Sequence, residues 1–315
     1  MSTVLELASD PLALIVVATD FSETAQLALD RAIEIATRHQ SEIALLHVMQ
    51  PDVPPLATPE MVVMPANYEE LIQEASSEGL RHAADCVREA GIRVSEHLER
   101  GRAATRIAVA ADALGADMIL IGTRGNTGFK HLLLGSVAEE VVRIAQRPVL
   151  TVHPTDVRPI EPVRTLLYPT DFSTAAEQAL AVATRLLIGS EQTRVLLVHT
   201  YYITPSIVPL GGFRSGVVPL FVDNAQHLAE KLARPSADAL RARGFTVEMM
   251  VQRGDPAEIV TELATEHDAD LIVMGTRGHS KIRQLLLGST AERVVEHAPC
   301  PVLTVHELED GHGFG

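Results

Sequence analysis

Two segments of this 315-residue chain are near-copies of one another: Gly122-Thr-Arg-Gly125, nine residues, Gly135-Ser136, and Gly275-Thr-Arg-Gly278, nine residues, Gly288-Ser289. Each opens directly after an apolar run, Asp117 to Ile121 or Asp270 to Met274, and each closes on Leu-Leu-Leu-Gly-Ser leading into a helical pattern. Other pairs follow at nearly constant offset. Thr-Asp20-Phe-Ser22 matches Thr-Asp171-Phe-Ser173, His47 matches His199, Arg100-Gly101 matches Arg253-Gly254, and Pro148 to His153 recurs as Pro301 to His306. The order is the same throughout, so the chain reads as a tandem duplication of one domain. The boundaries expected are 1–153 for the first domain, 154–163 for a linker rich in Pro and charge, and 164–308 for the second. The tail, 309–315, is expected to be disordered.

Within each copy, short apolar runs of strand length alternate with longer helical patterns, the mark of βαβ units and a parallel sheet. In the first copy the strands are expected at Leu12 to Ala18, Ser41 to Val48, Arg93 to Glu99, Met118 to Ile121 and Val149 to Val152. Helices are expected at Ser22 to Arg38, Tyr68 to Ala90, Thr105 to Leu114 and Val137 to Ala145. The fold class is therefore α/β, with a five-stranded parallel sheet in each domain. The strand runs are nearly continuous in Val, Ile and Leu, as when helices cover both faces. In the second helix Leu71, Ile72, Ala75, Leu80, Ala83, Ala84 and Val87 keep helical spacing and read as core. Pro235 should kink or interrupt the counterpart helix, around Val222 to Arg243. The loops that precede these helices, Gln50 to Asn67 and Tyr201 to Leu220, do not align with each other and read as lids of different design.

Composition removes several function classes. No apolar stretch reaches the roughly 18 residues that span a bilayer, and the N-terminus lacks a secretory pattern, which places the chain in the cytoplasm. Cys86 and Cys300 stand at unrelated positions of the two copies and form neither a disulfide framework nor a CxxC site. A formal charge of −15 argues against nucleic acid as a partner. The 13 histidines include four that recur at strand ends, His47, His153, His199 and His306, without metal-ligand spacing.

In a parallel α/β sheet, ligands settle at the carboxyl ends of the strands, where helix N-termini direct amide donors outward. Gly122 and Gly125 follow a strand, where a missing side chain allows close approach to the backbone. Gly135 and Ser136 stand at a helix start. A phosphate between them would receive amide hydrogens and the Ser136 hydroxyl. Ser136-Val-Ala-Glu139 and Ser289-Thr-Ala-Glu292 also fit capping boxes. A cap does not explain two further glycines upstream in both halves, so phosphate binding is preferred, and the two roles are compatible. The spacing is not that of a Walker A loop and no Lys precedes the Ser, which argues against fast phosphoryl transfer. Lys130 and Arg283, equivalent within the spacers, could lean toward phosphates or be solvated. Asp20 and Asp171, at the end of the first strand, could accept hydrogen bonds from ribose hydroxyls or favour the following helix dipole. Glu140 reads as lacking a partner for acid-base work.

These residues resemble the universal stress proteins, in their ATP-binding branch and tandem form, over Leu12 to His153 and Arg164 to His306. The resemblance implies the adenine nucleotide alpha hydrolase-like fold, with strand order 3-2-1-4-5. It also implies ATP as ligand, with magnesium on its phosphates, and a nucleotide-dependent regulatory role in stress response with at most slow hydrolysis. The binding residues implied are Asp20, Val48, Gly122, Gly125, Gly135, Ser136 and Val137 in the first domain. In the second they are Asp171, Thr200, Gly275, Gly278, Gly288, Ser289 and Thr290. Val48 and Thr200 would read adenine through their backbone. Pairing of the last strands would make an intramolecular pseudo-dimer, and a homodimer could form further. Two alternatives stay open: an ATP pyrophosphatase or nucleotidyl transferase, and an interaction protein with empty sites.

Overall fold

The computed structural model describes residues 11–50, 67–125, 134–189, 192–201, 217–276 and 287–307, with backbone alone over 217–225. The expected loops between 51 and 66 and between 202 and 216, the tail, Lys130, Arg283 and Gly278 lie outside the described residues. The chain divides into two compact units that meet between Val157 and Arg158.

In the first unit the elements run β1 (Leu14–Ala18), α1 (Glu23–His39), β2 (Glu42–Met49), α2 (Tyr68–Glu89), β3 (Val94–Arg100), α3 (Ala103–Ala113), β4 (Met118–Gly122), α4 (Ser136–Ile144) and β5 (Val149–Val152). The strands are parallel in the order β3-β2-β1-β4-β5. The second unit repeats this with β6 (Thr165–Pro169), α5 (Thr174–Leu186), β7 (Arg194–Tyr201), α6 (Val217–Ala242), β8 (Thr246–Arg253), α7 (Pro256–Glu266), β9 (Leu271–Gly275), α8 (Ser289–His297) and β10 (Val302–Val305). Its order is β8-β7-β6-β9-β10. Each unit is thus the five-stranded parallel α/β sheet read from the sequence pattern, in the order 3-2-1-4-5 that the resemblance implies.

The central strands earn their continuous apolar sequences by being covered on both faces. Ile15, Val16 and Val17 of β1 and Ile119 and Leu120 of β4 are fully buried, successive residues alike. Strands β3 and β8 depart from that rule: β3 reads Val-Ser-Glu-His-Leu-Glu-Arg, and no residue of either strand is buried, whereas every residue of β5 and β10 is. At the amino ends of the strands, a carboxylate holds β1 against β4: Asp117 Oδ2 accepts from the Ala13 and Leu14 amides at 2.6 and 3.0 Å. Asp270 Oδ2 does the same for Arg164 and Thr165 at 2.8 and 2.9 Å.

At the carboxyl ends, the last residue of β4 meets the first turn of α1. A Cβ on Gly122 would lie 2.9 Å from the Thr24 carbonyl carbon, and one on Gly275 would lie 2.9 Å from that of Ala175. Helix packing therefore requires these two glycines.

Two helices depart from expectation. In α2 the buried residues are Ser76, Leu80, Ala83, Ala84 and Val87, while Leu71 is 49 % exposed and Ala75 is also exposed. The amino-terminal half of that stripe is not core, and Ile72 lines a cavity instead. Helix α6 continues through Pro235 without interruption and starts at Val217, inside the expected loop. Pro235 stands on the exposed side of the helix. The opposite stripe, Ala229, Ala233, Ala237 and Leu240, is at most 3 % exposed and fixes the helix to its sheet.

Ala at position 275 should cost about 1–3 kcal/mol through overpacking against α5, seen as a lower denaturant midpoint for Gly275→Ala. Pro235→Ala should raise that midpoint by restoring a helical hydrogen bond, worth up to about 3 kcal/mol; an unchanged midpoint would mean that the proline is accommodated without cost.

Candidate functional site

Each unit opens a cavity at the carboxyl ends of its strands. In the first, about 550 Å³ is enclosed by the β1 loop, the end of β2, the end of β4 and the starts of α3 and α4. In the second, about 370 Å³ is enclosed by the equivalent segments. Asp20, Val48, Gly122, Gly125, Gly135, Ser136 and Val137 all line the first cavity. Asp171, Thr200, Gly275, Gly288, Ser289 and Thr290 all line the second.

The β1 loop is built by its own short side chains. Thr19 Oγ1 accepts from the Phe21 amide and Asp20 Oδ1 accepts from the Ser22 amide, both at 3.0 Å. Ser22 Oγ then caps α1 by accepting from Ala25 at 3.2 Å. This geometry puts Phe21 in the left-handed region, φ 62°, where a large side chain is seldom found. The ring compensates by stacking on His47 with centroids 4.5 Å apart. His47 Nδ1 lies 2.8 Å from the Thr19 carbonyl, which only accepts, so Nδ1 carries the proton. The second unit repeats every contact: Phe172 has φ 64°, stacks on His199 at 4.6 Å, and Thr170 O receives His199 Nδ1 at 2.8 Å. The turn bonds have equal lengths in the two units although Ala18 of the first stands where the second has Pro169.

Asp20 therefore serves its own turn with one oxygen. The other faces Gly125: a Cβ there would sit 2.3 Å from Asp20 Oδ2. Gly125 is the gap that admits this carboxylate to the cavity wall.

Beneath them, Thr123 is wholly buried, with its amide on the Val152 carbonyl at 2.8 Å and its hydroxyl 3.2 Å from His153 Nδ1. Its carbonyl accepts from the Gly135 amide at 2.6 Å, which closes the loop that carries the nine-residue spacer. Thr276, His306 and Gly288 form the same arrangement at 3.0 and 2.9 Å. Below the second cavity, Tyr168 is buried and donates to the Ala176 carbonyl at 2.9 Å; burial pushes its hydroxyl pKa well up.

The capping-box reading does not survive. The N-caps of α4 and α8 are Gly135 and Gly288, and neither helix start has a side-chain cap. Ser136 and Ser289 occupy the first helical position and are exposed. Among the described residues, the amides of Ser136, Val137 and Ala138 have no protein acceptor, whereas α1 and α5 are capped by Ser22 and Ser173. Donors and a positive dipole end thus face the cavity. Glu140 forms ion pairs with Arg102 at 2.8 Å and Arg143 at 3.6 Å.

The model of the universal stress protein family matches residues 14–153 and 162–306. The chain belongs to the universal stress protein family. A universal stress protein of Mycolicibacterium smegmatis is 28% identical over 300 residues, which span 92% of this chain and 96% of that one. One from Thermus aquaticus is 36% identical over 143 residues, 45% of this chain and 98% of its own length, a single-domain counterpart. The crystal structure of a universal stress protein from Archaeoglobus fulgidus shares the fold with a TM-score of 0.67 at 22% identity, covering 93% of this chain and 98% of that one.

Sequence reading of this universal stress protein missed Ile72, Met49 and Arg124, which also line the first cavity. Arg124 lay within the repeated Gly-Thr-Arg-Gly segment and was legible there. Ile72 was not, because helical spacing alone does not separate a cavity wall from core. The Asp20 and Gly125 contact predicts strong coupling: Gly125→Ala should destabilise by at least about 1 kcal/mol more in the wild-type background than in Asp20→Ala. A double-mutant cycle in denaturant checks this, and additive effects would refute the contact.

Proposed function

We propose that this universal stress protein binds ATP in each domain and uses binding as a regulatory signal in the response to stress, with at most slow hydrolysis. The observation that carries the reading is the pair of helix starts, α4 and α8, that present amides without a protein acceptor to a cavity among the described residues. Phosphate oxygens are suited to them, because anions at a helix N-terminus gain both hydrogen bonds and dipole stabilisation. Ser136 and Ser289 would add a hydroxyl, and the carboxylates of Asp20 and Asp171, which line the cavities, would face the ribose hydroxyls. Adenine would lie against Val48 or Thr200, reading their backbone. Gly278 belongs to the proposed set by its sequence position.

Among the described residues no three His, Cys, Asp or Glu side chains converge. A magnesium ion bound with ATP would therefore rest on phosphate oxygens and water, as this cation often does. The residues that fit are those that hold the phosphates, not a protein cage. A cytoplasmic location suits an ATP ligand; no described helix is long and apolar enough to cross a membrane.

Ser136→Pro together with Ser289→Pro provides the test. Pro is well tolerated at the first helical position, as Pro256 is in α7, and Gly135 and Gly288 already have the extended backbone that must precede it, with ψ 144° and 140°. The double variant loses one amide and one hydroxyl per site. ATP affinity should fall at least about ten-fold at each site, while the melting temperature stays within a few degrees. Unaltered affinity by calorimetry would overturn the phosphate assignment. Small molecules released by denaturing the wild-type protein should include ATP at up to about two per chain.

A further inference from the structure

The two cavities are bordered by the same ion pair with its polarity reversed. In the first unit Arg102, the N-cap of α3, pairs with Glu140 of α4 at 2.8 Å. In the second, the equivalent positions hold Asp255, the N-cap of α7, and Arg293 of α8, also 2.8 Å apart. The inversion extends one turn further along the helix, where Arg143 is matched by Glu296. The residues after the N-caps, Ala103 and Pro256, line the respective cavities, so the pair stands at each rim.

Reversal changes what each rim offers an anion. Asp255 accepts from the Ala257 and Glu258 amides at 3.0 and 3.1 Å, so a built-in carboxylate already occupies the start of α7. Arg102 cannot accept a hydrogen bond. It leaves α3 without a side-chain cap and adds a cation that is 71 % exposed. The first rim is therefore positive where the second has its own negative charge.

Resting on the nucleotide reading above, we infer that the two sites differ in phosphate preference. The first selects for higher phosphate charge, and the second holds adenine nucleotides with less regard to phosphate number. Position 102 and its equivalent 255 act as the specificity-determining residues.

The test uses the full chain with one site weakened at a time. Ser289→Pro leaves the first site, and Ser136→Pro leaves the second. Titration of each with ATP, ADP and AMP at low salt gives the ratio of AMP to ATP dissociation constants. This ratio should be at least about five-fold larger at the first site. Exchanging the pair, Arg102→Asp with Glu140→Arg in the Ser289→Pro chain, should lower the ratio toward that of the second site. Asp255→Arg with Arg293→Glu in the Ser136→Pro chain should raise it. Both exchanges keep an ion pair, and circular dichroism verifies folding. As a measurement free of variants, ATP binding to the wild-type chain should resolve into two affinities that draw together with AMP. Equal ratios at the two sites, or ratios indifferent to exchange, overturn the inference while leaving nucleotide binding intact. Failure of the wild-type chain to bind any of the three nucleotides overturns both.

Discussion

The close approach of the fourth strand to the first helix in each unit is the constraint from which the site follows. With 2.9 Å between a hypothetical Cβ at Gly122 or Gly275 and the helix backbone, any side chain there would push α1 or α5 off its sheet. Contact at that point brings the β1 loop against the segment after β4. Asp20 can then reach the gap at Gly125, and Ser22 Oγ comes 3.4 Å from the Arg124 carbonyl. Thr123 and its histidine fix the same segment from below. The cavity is what remains between two loops that packing has already positioned.

Much of this was legible because the chain states it twice. Repetition separated the fixed residues from the variable ones: strand count, helix count and the glycine, serine and aspartate positions follow from the paired motifs, while the strand order came from the family resemblance. Boundaries shifted by one or two residues, as at β2 and α3, where end residues satisfy either assignment. The errors have physical causes. Ser136 and Glu139 had the spacing of a capping box, but the helix begins one residue earlier than that box requires, because Gly135 already supplies the extended N-cap. Leu71 fitted the apolar period of α2, yet the first turns of that helix are largely exposed and leave it 49 % accessible. Pro235 was read as a breaker, and tertiary packing of the alanine stripe overrode local propensity. Side-chain pairing was the least visible level. Nothing local to Glu140 signals Arg102, which reaches it from another helix.

The duplicated loops also show how an unfavourable backbone is maintained. Phe21 and Phe172 adopt the left-handed region without being glycine, and both stack on a histidine held by the preceding threonine carbonyl. The two histidines that recur at the ends of β2 and β7 thus have a structural task, which accounts for their repetition without any metal. The stacking joins the end of the second strand to the end of the first, the two places where a base and a ribose would rest.

Because Gly122 and Gly275 are demanded by helix packing, selection for folding alone retains them, whatever the fate of the ligand. A duplicated copy released from binding would erode first where the scaffold makes no claim, at the exposed hydroxyls of Ser136 and Ser289. Evolutionary loss of function in such tandem chains is therefore to be sought in the serine, with the glycines persisting as a record of the architecture.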